Sequence, residues 1–224
     1  MINHEEVTRV IPAAQIRMIA MTAFALGLAG CASGMSVADC AGADWASLGF
    51  ADGESGAPAN MVDKRRKDCR KHGLEVDLAA YAEGRTRGLA LYCTPEGGFA
   101  AGKAGGEYLG VCPAEVEAAF LSDFELGAKL HALTAAREKA IADYETAIAD
   151  LDQHRYLLGV AEKRYEKPSI SNEDREQERQ DMDYRRREIA RIDNDLPLLL
   201  EAIDAGKSAL DAYKAELAAM GKPF

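Results

Sequence analysis

Five cysteines hold most of the covalent chemistry open to this 224-residue chain. Cys40, Cys69, Cys93 and Cys112 fall within one 73-residue stretch, and an even count there reads as two disulfides. A bridge closing a loop of that size contributes on the order of 3 kcal/mol, which a segment poor in large apolar residues needs. Three pairings are open. Cys40 with Cys69 and Cys93 with Cys112 is preferred, because the second pair would staple the ends of a glycine-rich hairpin. A four-thiolate zinc site competes for the same residues, but the chain has no C-x-x-C pair. Six cations, Lys64, Arg65, Arg66, Lys67, Arg70 and Lys71, crowd eight positions of an otherwise acidic chain. Phosphate groups are their natural ligand, and an anionic head-group contact is the expectation weighed against a solvated face paired with local acids. Gly97 to Lys103 copies a phosphate-binding loop except that Ala104 replaces the hydroxyl residue that holds magnesium. A flexible loop is the better reading. Asp52-Gly53-Glu54-Ser55-Gly56 has too few oxygen ligands for calcium and reads as a turn. His72, His131 and His154 assemble no triad with a free nucleophile. No catalytic residue and no metal ligand is assigned, and the chain is read as a non-enzyme.

The fifth thiol, Cys31, stands apart. It closes Leu28-Ala29-Gly30-Cys31 behind the apolar run Met18 to Leu28, with Arg9 and Arg17 as a weakly basic lead. This order resembles the signal and lipobox of bacterial lipoproteins, and the run is too short to span a bilayer. The resemblance implies removal of residues 1–30, acyl chains on Cys31 as the sole non-protein group, and a surface facing an oxidising compartment. Two or more chains make a stable anchor, since each buried methylene contributes about 0.8 kcal/mol. Ala32 lacks the aspartate that would retain an enteric-type lipoprotein at the inner membrane. The outer membrane, on its periplasmic side, is therefore expected.

Without residues 1–30 the formal net charge stays at -10, which excludes nucleic acid as a partner and leaves anionic lipid only local basic patches. Four segments are expected: a signal peptide over 1–30, a lipid-anchored tether over 31–39, a disulfide-stabilised domain over 40–127 and a helical hairpin over 128–224.

The elements follow from spacing. Trp45 and Phe50 supply core between glycine turns at Asp52-Gly53 and Gly56. Pro58 opens a helix that runs to His72 and ends at Gly73. Asp77 caps a short helix reaching about Gly84. Leu89 to Cys93 and Tyr108 to Cys112 read as strands of a hairpin around a glycine-rich loop. From Pro113 the text is helical. Leu130, Leu133, Ile141, Ile148, Leu151, Leu158 and Tyr165 line one seam, and Met182, Ile189, Ile192, Leu196, Leu199, Ile203, Leu210, Tyr213 and Leu217 another. Lys167-Pro168-Ser169 breaks the two, and Ser171 with Asp174 starts the second by a capping box. Such helices bury their stripes by folding back antiparallel over roughly 60–75 Å. Pro197 predicts a kink or restart near 194–196. The fold class is α+β, mainly α.

The order Cys40, Trp45, Gly49, Asp52-Gly53, Gly56, Arg66, Cys69, Gly73, Asp77, Tyr81, Gly84, Gly88-Leu89, Tyr92-Cys93, Gly102, Gly105, Tyr108, Val111-Cys112-Pro113, Phe120, Phe124 and Gly127 resembles the bacterial lipoprotein family called domain of unknown function 2799. The likeness covers about residues 40–127 and supports envelope localisation and disulfides. That family has no established activity, so no site residue comes with it.

A structural or protein-interaction role in the cell envelope is the leading expectation, with another envelope protein as partner. The alternative is a peptidoglycan- or glycolipid-binding, even hydrolytic, domain with Trp45, Asp52 and the glycine-rich hairpin as its cleft. It requires Trp45 and Asp52 to line an open groove.

Overall fold

The computed structural model describes residues 34–224. The apolar run, Cys31 and the start of the tether lie outside the described residues. Within them the chain forms α1 (Val37–Ala41), α2 (Trp45–Glu54), α3 (Met61–Arg70), α4 (Leu78–Tyr92), α5 (Pro95–Lys103), α6 (Ala114–Tyr165) and α7 (Asn172–Ala219). Short polar side chains set most of the starts. Ser36 and Asp39 form a capping box on α1, and Asp44, Asp77, Thr94 and Ser171 accept from the backbone N–H three residues on. Pro95 occupies the first turn of α5, where its missing donor costs nothing.

The mainly helical class, the disulfide-pinned small domain and the long antiparallel hairpin are all present. Cys40 bonds to Cys69 and Cys93 to Cys112, with Cα separations of 5.6 and 5.5 Å. The small β-hairpin is not. Leu89 to Tyr92 is the last turn of α4, which runs straight through Gly84, and residues 108–112 are irregular. Asp52-Gly53 lies inside α2, residues 97–103, expected as loop, lie inside α5, and residues 37–39 of the expected tether belong to α1. One cause explains most of these differences. Glycine reads as a helix stop in the sequence, whereas here it lets two helix backbones touch. A Cβ on Gly49, Gly53, Gly84 or Gly88 would collide with main-chain atoms of the facing helix in the α2–α4 pair, and one on Gly98, Gly102 or Gly127 would do so in the α5–α6 pair. This close packing of backbone on backbone offsets the roughly 1 kcal/mol that each glycine costs a helix.

α6 has 52 residues, about 78 Å at the standard rise, and runs unbroken across the 127/128 division expected from sequence. α7 returns along it from Ser171. Arg155 meets Asp193, Arg186 meets Glu162, and the Arg175 guanidinium donates to the Tyr165 carbonyl at 2.8 Å near the bend. α7 passes through Pro197 without a restart, since one missing N–H removes one intrahelical bond and the neighbouring turns hold. At the base, Leu210, Tyr213 and Leu217 of α7 close over Phe99 and Leu130. Tyr213 Oη donates to the Leu126 carbonyl at 2.8 Å, and Lys222 pairs with Asp123. Beyond that base the hairpin continues for roughly 50 Å to its tip. No helix among the described residues is long and apolar enough to cross a membrane.

Candidate functional site

The most elaborate polar cluster lies between α2, α3 and α4. The Asp52 carboxylate is held by both terminal nitrogens of Arg65, Nη2 at 2.9 Å from Oδ1 and Nη1 on Oδ2, and accepts from Tyr81 Oη at 2.6 Å. Arg65 lies 6.0 Å from the Tyr81 ring centroid. Burial and the hydrogen bond to Asp52 push the Tyr81 phenol up to about 12, and the same carboxylate raises Arg65. A bidentate guanidinium and a phenol saturate the carboxylate, so the cluster is a structural tie with no acid or base left for chemistry. Trp45 packs beside it against the Cys40–Cys69 bridge, Val76 and Tyr81. Trp45 and Asp52 are both buried, so the cleft that the glycan-binding alternative required of them is closed.

The six cations are not one surface. Arg65 is withdrawn to Asp52, Arg66 pairs with Asp63, Arg70 with Glu75 and Lys71 with Asp68, whose carboxyl is held below its usual range mainly by the Lys71 hydrogen bond. Among the described residues Lys64 and Lys67 have no such partner. The chain reaches this helix at its first described residues: Met35 Sδ lies 3.9 Å from Cys69 Sγ, and His72 Nε2 is 3.3 Å from the Met35 carbonyl. His131 sits 3.2 Å from the Lys103 carbonyl, and the His154 ring packs 5.9 Å from Tyr184 on the hairpin. Each of these three histidines has a structural neighbour. Among the described residues no group of three or more His, Cys, Asp or Glu is placed to hold a metal ion.

A second arrangement has no counterpart among the motifs read from the sequence. Gly49-Phe-Ala-Asp-Gly-Glu-Ser-Gly56 and Gly98-Phe-Ala-Ala-Gly-Lys-Ala-Gly105 are the same word 49 residues apart. Both end in a left-handed glycine, φ 66° at Gly56 and 74° at Gly105, and both close with the same main-chain bonds, Ala57 N–H to Asp52 O and Gly106 N–H to Ala101 O. Their partner helices match at a spacing of 39. Gly49 faces the Tyr81 carbonyl as Gly98 faces that of Phe120, and Gly88 meets Phe50 O and Glu54 N as Gly127 meets Phe99 O and Lys103 N. α2 with α4, and α5 with α6, are therefore two copies of one glycine-crossed helix pair. The repeated eight-residue word is the signal that could have revealed this.

The copies differ in coordinated ways. Where the first has Asp52 and Tyr81, the second has Ala101 and Phe120. The hydroxyl and its carboxylate are gone together, so neither is left unsatisfied. Phe120 instead packs against the tilted rings of Tyr92 and Tyr108 at 4.9 Å and stacks with Phe124 at 6.1 Å. Phe124 occupies the position of Arg85, and Asp123 that of Gly84. Shallow grooves of about 380 Å³ beside Ile192, Leu198 and Leu199 on the hairpin and of about 470 Å³ between α5 and residues 220–224 lie on the surface of the described residues.

Residues 44–129 match the family model described as protein of unknown function (DUF2799). The match begins at the cap of α2 and ends in α6 just past Gly127, so it takes in both copies and stops where the free hairpin begins. No curated protein and no solved structure matches the chain.

Proposed function

We propose, on the premise that residues 44–129 belong to the DUF2799 family, that this chain is a non-enzymatic lipoprotein of the bacterial envelope, anchored through acylated Cys31 at the outer membrane. Its hairpin then carries a contact surface away from the lipid toward another envelope protein. The observation that carries the reading is the layout of the molecule. The first described residues, which follow Cys31 by three positions, pack on the Cys40–Cys69 unit, and at most about 3.5 Å per residue of chain separates the two. The hairpin is clamped at its base by Tyr213, Lys222 and the Phe99 cluster and projects from there. Two disulfides suit an oxidising compartment. Lys64 and Lys67, on the helix against which Met35 packs, are the cations with which it would meet anionic head groups.

Arg137 faces Gly206 across the hairpin, its Cα 3.3 Å from where a Cβ on Gly206 would sit, so residues 138–205 can be replaced by a short glycine-rich turn while Leu210, Tyr213 and Leu217 keep their places. The shortened chain is expected to stay folded, disulfide-bonded and in the membrane fraction, and to lose the partner captured by cell crosslinking. An unchanged crosslinking profile rejects the hairpin as the contact surface. Mass spectrometry finding Cys31 unacylated behind an intact amino terminus rejects the anchor.

A further inference from the structure

The two copies of the helix pair are not equally covered, and the difference identifies an unfilled helix-docking face. In the second copy Phe99 and Leu130 are buried, Leu130 to 4%, beneath Leu210, Tyr213 and Leu217 of α7. Subtracting the repeat spacings of 49 and 39 places Phe50 and Leu91 at the same two positions of the first copy. Phe50 is only half-buried, and Leu91 is 56% exposed. The shape of the crossing, set by Gly53 and Gly88 in one copy and Gly102 and Gly127 in the other, is common to both. What differs is that no helix among the described residues lies over Leu91.

We propose that the Phe50–Leu91 face of the first copy binds an amphipathic helix of another polypeptide, seated as α7 is seated on the second copy. The occupant must present apolar side chains at i, i+3 and i+7, the spacing of Leu210, Tyr213 and Leu217. Glu54 stands where the second copy has Lys103, and Arg87 stands where it has Leu126, so charge on the occupant adds to an apolar stripe that already suffices to seat it. A cation opposite Glu54 and an acid opposite Arg87 complete the match; neither residue has an ion-pair partner within the described chain. A second copy of this chain is a poor occupant. Its own α7 stripe is consumed over Phe99 and locked by the Tyr213 and Lys222 contacts. Its exposed Leu198 and Leu200 are two residues apart and point to different sides of their helix. The proposal rests on packing within the described residues and is independent of the anchor and of the distal hairpin.

The test titrates the full, disulfide-bonded chain with a fluorescent synthetic peptide of residues 203–221, the chain's own example of such a helix. One saturable site per chain is expected. Leu91→Lys should weaken it about tenfold or more while leaving the melting temperature in place, and a peptide with Leu210, Tyr213 and Leu217 changed to Ser should not bind. Absence of saturable binding overturns the proposal. So does binding that Leu91→Lys leaves intact, because the peptide is then exchanging with α7 over Phe99. A chain that sediments as a dimer, and as a monomer once Leu91 is changed, overturns the choice of occupant in favour of a second copy.

Discussion

The first helix pair, α2 with α4, and the second, α5 with α6, begin from the same backbone geometry and finish by opposite means. The first is tied to α3 by a carboxylate and a phenol of the pair and the Arg65 guanidinium, and leaves another face to solvent. The second has lost the carboxylate and the hydroxyl, fills the space with aromatic rings, and is sealed from outside by the returning α7. A glycine-crossed pair is thin: the backbones touch, so few side chains lie between them and each pair needs one more partner to complete a core. α3, joined by the polar tie and the Cys40–Cys69 bridge, supplies it in one copy, and the apolar stripe of α7 supplies it in the other.

The shared element is best broken at its glycines. Gly88→Ala and Gly127→Ala each drive a methyl into main chain that cannot step aside, and each is expected to cost about 3 kcal/mol or more in urea unfolding, beyond what better helix propensity returns. Near-equal losses support the equivalence of the copies; a neutral change at either position breaks it. Next comes the polar tie. Asp52→Ala strands Arg65 and the Tyr81 hydroxyl and should cost about 3 kcal/mol, whereas Ala101→Asp in the second copy should be destabilising for the converse reason, a carboxylate placed beside Phe120 without a partner.

The tie also has a pH signature. The Tyr81 phenol, faced by Asp52, Arg65 and Arg85, titrates near 12 in the folded chain against about 10 when unfolded. A raised acid of this kind stabilises fully below pH 10, and its contribution fades as pH rises from 10 through 12. The chain should therefore lose about 2 kcal/mol across that window on rapid measurement, and Tyr81→Phe should flatten the loss by most of that amount. An unflattened curve would assign the alkaline instability to other tyrosines, of which Tyr92 and Tyr108 are also raised by burial. The smallest effect has the opposite sign. Gly159 sits in the hairpin with nothing near its Cβ position, so Gly159→Ala is expected to stabilise by about 1 kcal/mol. That contrast separates glycines that bring backbones together from one that does not.

The sequence is legible wherever periodicity or cysteine count decides the outcome. The two seams, the break at Lys167 to Ser169, the helix cap at Ser171 and the presence of two disulfides follow from spacing and count, whereas the preferred pairing of the four cysteines is the one found although the β-hairpin that argued for it is absent. It misleads where glycine has two uses. Gly84, Gly98 and Gly102 carry the same letter as the left-handed Gly56 and Gly105, and only the facing helix tells a crossing point from a turn. The six cations are legible only in part: pairing with local acids is one of the two readings the sequence offers, but which acids claim Arg65, Arg66 and Lys71 is decided by the fold of α3 against α2 and by helical spacing together. The likeness to a known family points to the right segment, yet the doubling within it lies in an eight-residue word whose glycines twice suggest a loop.

One copy is covered and its twin is open, and a matched pair of substitutions addresses that contrast directly. Leu130→Ala and Leu91→Ala remove the same side chain from equivalent positions, and their unfolding free energies in urea can be compared within one protein. The predicted result is a loss of about 3 kcal/mol for Leu130→Ala and less than about 0.5 kcal/mol for Leu91→Ala. Equal losses at the two positions would contradict the contrast, because Leu91 would then be as deeply packed as its counterpart.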